Sequence, residues 1–297
     1  MVIPDEVRKC VVFVGRETKH GPLCIGTGFM LGRTLSSGVS VVYCVTARHI
    51  LDHIKERSGY KVHLRLNFVN AGAKWIETPL QDWIFHPQYD NVDVALCPFP
   101  LGEEHDHLVC SLSRVLDEDR LKRDSLGIGD EVFLVGLFSQ HIGSERNIPI
   151  VRVGNIAAMP EEYVATKWGA MEAYLIEARS IGGLSGSPVF ANMGQVRIIQ
   201  GSLRVAKTPA YYLVGLIHGH WDAPDSILAT SSEDNRGSGE QVNMGIAIVV
   251  PIQKVIETLN QKAILDLERE AIEKKPDQSS AGTDDRFKSS TLTTSDL

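Results

Sequence analysis

Short runs of β-branched and aromatic residues recur along this chain at intervals too close for helices. The first series covers residues 10–14, 23–31, 39–46, 61–68, 83–85 and 92–97, separated by Gly-Pro, Ser-Ser-Gly, Asn-Ala-Gly and His-Pro. Such short sequences mark turns between strands rather than helix interiors. Between Leu101 and Arg123 the chain becomes charged and loses its alternation, and Gly127-Ile128-Gly129-Asp130 then opens a second series at 131–138, 148–157, 171–178, 196–203, 211–218 and 244–250. Two blocks of about six strands joined by a polar connector predict an all-β fold of two antiparallel six-stranded β-barrels, over residues 1–115 and 116–250.

One helix is predicted after the last strand. Ile252, Val255, Ile256, Leu259, Ala263 and Leu267 follow helical spacing behind Pro251, which suits a first turn. This C-terminal α-helix, over 251–275, is expected to lay its apolar stripe on the second barrel. Residues 276–297 are rich in Ser, Thr and Asp and have too few apolar groups to offset their ordering entropy, so a disordered tail is expected. Residues 222–241 read as a mobile loop.

Charge excludes several classes of partner. Thirty Lys and Arg against 37 Asp and Glu leave a net charge of −7, which attracts neither nucleic acid nor anionic lipid. Asp5 and Glu6 stand where a secretory signal has a basic segment, and the apolar run 11–14 is too short for its core. The richest apolar stretch, 245–252, is interrupted by Pro251, so no membrane span is expected. Cys10, Cys24, Cys44, Cys97 and Cys110 are odd in number and form no C-x-x-C pair. They read as free thiols of a reducing, cytoplasmic compartment.

No cofactor or metal is expected. Gly26-Thr27-Gly28 lacks the third glycine and the lysine of a phosphate loop and is assigned to close passage of backbone beside a substrate. Glu103-Glu104-His105-Asp106-His107 with Cys110 holds ligand-like residues but reads as a solvated charged loop in the connector. His53 and His63 have no partner visible in sequence.

Three segments carry chemistry together: Thr46-Ala47-Arg48-His49, Asp93-Val94-Ala95-Leu96, and Gly183-Leu184-Ser185-Gly186-Ser187-Pro188. A serine hydroxyl is a weak nucleophile that needs a base within reach and an acid to orient that base. His49 ends an apolar strand where a helical stretch begins, Asp93 precedes core-like residues, and the amides of Gly183 and Ser185 lie in one glycine-rich turn suited to an oxyanion. The order His, Asp, Ser excludes the α/β-hydrolase order, because no Asp or Glu occurs from Gly186 through Ile217.

These segments, with His86-Pro87-Gln88-Tyr89 shortly before Asp93, resemble the chymotrypsin-like serine peptidases, in particular their bacterial trypsin-like branch. Further similarity lies in Leu126 to Gly136, Leu213-Val214-Gly215-Leu216 and Asn243 to Pro251, so the likeness spans about 11–259. It implies a His49–Asp93–Ser185 triad, an oxyanion hole of Gly183 and Ser185, and hydrolysis of protein or peptide substrates through an acyl-enzyme. The alternative is a catalytically silent or partner-gated binding protein on the same fold, with the C-terminal helix and tail docking a regulatory protein.

The chain departs from that family's pattern at several positions. Leu184 stands where zymogen-activated members have an acid, so the oxyanion turn must be ordered by other contacts. Ile50 replaces the cysteine that follows the histidine in many secreted members, and Ser187 replaces a glycine. By the same resemblance, Arg179 falls near the floor of the specificity pocket, favouring an acidic or amide-bearing substrate residue. The resemblance likewise implies that His218, Gly219 and His220 form the edge strand that binds substrate backbone, and alternation would direct both histidines to one side.

Overall fold

The structure, a computed structural model, describes residues 3–87, 91–166, 168–180, 182–199, 201–224 and 241–273. The predicted mobile loop falls mostly outside these residues, and the predicted tail entirely so. The first half contains β1 (Val11–Arg16), β2 (Leu23–Thr34), β3 (Ser40–Thr46), β4 (Lys61–Phe68), β5 (Gly72–Pro79), β6 (Ile84–Phe85), β7 (Ala95–Pro98) and β8 (Cys110–Ser111). They form one sheet in the order β5-β4-β1-β2-β3-β7-β6, with β8 running parallel to β2.

Among the described residues this sheet does not close, contrary to the predicted first barrel. Its last strand, β6, is two residues long and pairs with β7. The opposite edge, β5, is met by the loop after residue 137: Ala73 N–H donates to Glu145 O at 2.7 Å. Arg65 on β4 anchors that loop, donating to Gly143 O at 2.8 Å and to Asn147 Oδ1 at 2.8 Å. β5 is absent from the sequence reading because its residues are mostly half-exposed and give no clear apolar run.

The second half holds the closed six-stranded barrel that the sequence predicts. β9 (Glu131–Gly136), β10 (Ile150–Ala158), β13 (Tyr174–Glu177), β14 (Pro188–Ile199), β15 (Ser202–Pro224) and β16 (Gln241–Pro251) close in the order β10-β13-β16-β15-β14-β9. The predicted strand at 196–203 instead straddles the β14–β15 hairpin. β11 (Val164–Thr166) and β12 (Gly169–Met171) make a separate hairpin.

Strand alternation explains how the halves join. Along β9, Val132 and Leu134 fill the barrel interior, while Phe133 and Val135 belong to the cluster that contains Phe13, Phe29 and Leu96 of the first half. β14 repeats the division, with Val189 and Ala191 inside and Phe190 outward. Successive side chains point to opposite faces, so a strand buried on both reads as one continuous apolar run.

The helices are α1 (Asp5–Lys9), α2 (Arg48–Ser58), α3 (Glu118–Arg123), α4 (Ile252–Leu259) and α5 (Lys262–Glu273). The predicted single C-terminal helix is therefore two, and its apolar stripe does not serve the second barrel alone. Ile252, Val255, Leu259 and Ile264 join the core shared with the first half. Polar anchors from the first half secure them: Tyr43 Oη donates to Glu268 Oε1 at 2.7 Å, and Arg33 reaches Asn260 Oδ1 at 2.6 Å and Glu268 Oε2 at 3.3 Å. Gln261 Nε2 donates to Phe85 O at 2.8 Å, and His86 Nε2 lies 2.9 Å from Glu257 Oε2. Tertiary partners thus decide which surface an amphipathic helix covers, which its periodicity cannot. Among the described residues no helix is long and apolar enough to cross a membrane, and all five cysteines are free thiols.

Candidate active site

His49 is the second residue of α2, just beyond β3. Ala47 at the N-cap supplies no side-chain acceptor, leaving the first-turn amides to find partners elsewhere. Asp93 provides one: its Oδ1 accepts the His49 backbone N–H at 2.8 Å, and its Oδ2 lies 2.7 Å from His49 Nδ1. Asp93 is 6% exposed, between the buried Val92 and Val94. Burial alone would raise its carboxyl pKa, but the His49 charge and the ring hydrogen bonds from His218 and His49 outweigh burial and hold it well below the usual carboxylate range. An ionised carboxylate only accepts, so each ring presents Nδ1–H to Asp93 and the acceptor of neutral His49 is Nε2.

Ser185 lies in the turn between β13 and β14, where Gly183 and Gly186 have φ of 97° and 80°, a backbone region that glycine enters without strain. At Gly186 a Cβ would strike Thr27 O and Thr46 Oγ1, so only glycine lets this turn rest on β2 and β3. Thr27 then ties it down. Its N–H donates to Ser185 O at 2.9 Å, its Oγ1 donates to Gly183 O at 2.7 Å, and the same Oγ1 accepts Leu137 N–H at 2.9 Å. The turn is closed further by Gly186 N–H to Ile217 O at 2.7 Å and Ser187 N–H to Leu184 O at 2.9 Å.

Leu184 is fully buried in the second barrel. Hydrophobic anchoring and Thr27 therefore order this turn. Among the described residues, no acceptor engages the N–H groups of Gly183 or Ser185. The glycines around Thr27 serve this internal contact: Gly28 packs against Val45 O and Gly26 against Ile50, where the sequence reading assigned them to substrate.

His218 is placed differently from its predicted position on a substrate edge. It is 4% exposed, its Nδ1 lies 2.5 Å from Asp93 Oδ2, and its ring stands edge-on to His49 at 5.4 Å. Its carbonyl accepts the Ser185 Oγ–H at 3.1 Å. Register shifts at 217–219 and 220–222 interrupt β15, so the two histidines do not follow simple alternation. Gly219 and His220 pair with Ile248 and Ala247 of β16, while pairing with β14 ends at Leu216.

The ligand atoms of His49, Asp93 and His218 lie within 4.8 Å of one another. Separations of 2.7 and 2.5 Å between Oδ2 and the two Nδ1 atoms are hydrogen-bond lengths, shorter than two atoms bridged by a zinc ion at ~2 Å from each would show. The set is a hydrogen-bonded cluster.

Sequence reading missed Trp168. This half-exposed residue, at the β11–β12 turn, stacks on His49 at 5.9 Å with 24° between ring planes. Asn91 Nδ2, two residues before Asp93, donates to Ala170 O at 2.5 Å and holds the hairpin there. Only a tryptophan beside Thr166, Lys167 and Gly169 signals it in sequence. Arg179 is exposed and forms no ion pair among the described residues, at the surface rather than enclosed beneath pocket walls.

The motif at 103–107 is not a solvated loop throughout. His107 accepts Asn67 N–H at Nε2, 2.8 Å away, and its Nδ1 lies 2.9 Å from Lys9 O. His63 meets Glu17 at 3.1 Å. Gln88 and Tyr89 of the motif before Asp93 lie outside the described residues.

No family model and no curated protein matches this chain. Solved structures similar to it include the apo protease domain of MamO from Magnetospirillum magneticum, with 15% identity and a TM-score of 0.49 over 86% of this chain and 98% of that one. The Drosophila Grass clip serine protease of the Toll pathway is similar at 14% identity and a TM-score of 0.47, over 86% of this chain and 70% of that one.

Proposed function

We propose that this protein is a trypsin-like serine endopeptidase. Ser185 Oγ attacks the scissile carbonyl carbon while its proton passes to His49 Nε2. The oxyanion forms against the N–H groups of Gly183 and Ser185. The C–N bond then breaks, and His49 returns the proton to the leaving amine. Water, deprotonated by the same ring, attacks the acyl-enzyme; the ester C–O bond breaks, His49 returns the proton to Ser185 Oγ, and the carboxylic acid leaves. Gly219, which pairs with Ile248 of β16 on one side, lies where an extended peptide would run along the strand. The free thiols suit a reducing, cytoplasmic location.

One observation carries this reading: the buried, ionised Asp93 grips His49 by backbone and ring together, beside a nucleophile turn whose two amides are uncommitted. A silent or partner-gated protein is the second reading. It is favoured by the Ser185 hydroxyl's bond to His218 O and by Trp168 lying over the His49 ring. Intact-mass spectrometry after fluorophosphonate treatment separates the two. A single adduct on the wild type, lost in Ser185→Ala and His49→Ala, supports the peptidase; a folded wild type that takes no adduct supports the silent or gated protein.

A further inference from the structure

We infer that His218 is a positioning residue for the general base, acting through Asp93; this rests on the peptidase reading. Asp93 Oδ2 accepts two imidazole N–H groups, from His49 at 2.7 Å and His218 at 2.5 Å, and Oδ1 takes the His49 amide. The carboxylate is thus held by three donors from two elements, α2 and β15, and cannot rotate without breaking one. His218 is itself held by burial, by the bulge in β15 and by its carbonyl's bond to Ser185 Oγ. One residue therefore touches the orienting acid through its ring and the nucleophile through its backbone.

The arrangement also divides charge. A carboxylate that accepts a second ring N–H has less negative potential to offer the first, so it stabilises the His49 imidazolium less than an unshared carboxylate would. His218 keeps His49 neutral, and able to accept a proton, to lower pH. The groups facing His218 are Asp93 before β7, His49 on α2, with Trp168 stacked on that ring, and Ser185 on the nucleophile turn.

Two measurements on the full chain test this. Proton NMR with 15N-labelled histidine is expected to show two downfield, slowly exchanging ring N–H resonances. Both should vanish in Asp93→Asn, and one should remain in His218→Leu. Fluorophosphonate labelling against pH gives the functional readout. His218→Leu should lower the maximal labelling rate roughly 10- to 100-fold, the usual worth of a hydrogen bond to a charged group, leave the reagent's half-saturation concentration unchanged, and move the acid limb to higher pH. His218→Asn retains an N–H donor and should recover part of the rate; it also serves should the leucine variant fail to fold. A single downfield resonance in the wild type, or a folded His218→Leu with wild-type rate and an unmoved acid limb, overturns the inference. Two resonances in a wild type that never labels would defeat the peptidase reading and the role built on it, while the two-donor carboxylate would stand.

Discussion

His49 meets Asp93 twice, through its backbone N–H to Oδ1 at 2.8 Å and through its ring to Oδ2 at 2.7 Å. The carboxylate thereby caps α2 and fixes the His49 ring in one contact. It does what a Ser or Asp N-cap does within a helix, but from 44 residues away. A negative charge at a helix N-terminus is favourable in itself, so the group that stabilises the fold is the one the proposed mechanism uses.

Asp93→Asn should keep an acceptor for the His49 amide yet present N–H to a ring that needs an acceptor. Activity should fall on the order of 10⁴-fold, as when an orienting triad acid is lost, with a modest loss of stability. The carboxyl's pKa is depressed in the folded protein, so its stabilising contribution is complete above its unfolded value of ~4 and disappears as pH falls below that. Denaturation curves at pH 3 and 7 should show the wild type losing more stability than Asp93→Asn; equal losses would contradict the assignment.

Thr27→Val preserves shape and removes the hydroxyl that joins Gly183 O to Leu137 N. Two groups at the junction of the halves lose a partner, and a destabilisation of about 2 kcal/mol is expected. On the peptidase reading, fluorophosphonate labelling should slow because the turn that carries Ser185 loosens. Unchanged melting and labelling would show that Leu184 alone orders the turn.

Glu268→Ala should destabilise by about 3 kcal/mol, because the largely buried Arg33 loses its carboxylate and keeps only Asn260 Oδ1 and Leu259 O, while Tyr43 Oη loses its acceptor. Hydrogen exchange should accelerate first in α5. A loss under 1 kcal/mol would mean that apolar packing alone docks the helix.

His107 is pulled down to about 4 by burial, which outweighs its bond to Lys9 O. Its folded value lies below the unfolded 6.5, so stability is complete above pH 6.5 and declines as pH falls to about 4, by on the order of 3 kcal/mol. His107→Gln cannot titrate, and its stability deficit relative to the wild type should shrink across that window. A deficit independent of pH would refute the buried neutral ring.

Much of the fold was legible because its signals are local. Strands such as Lys61–Phe68 and the start of α2 follow from alternation and from the break after Thr46. β5 was not, since a half-exposed strand buries too little to leave a pattern. The first sheet's open edge was not either, since it depends on a loop from the other half.

By itself the sequence determined the strand-rich character of the chain and singled out His49, Asp93 and Ser185 as candidates, because strand periodicity, turn glycines and chemically paired residue types are written over a few positions. Only the tertiary structure decided that His218 shares Asp93 across 125 residues, that Thr27 ties down the Ser185 turn across 156, and that Glu268 meets Arg33 across 235. It also decided that Trp168 covers His49. Those contacts arise where strand bulges, hairpin placement and the packing of the two halves bring distant side chains together, and no local pattern encodes that geometry.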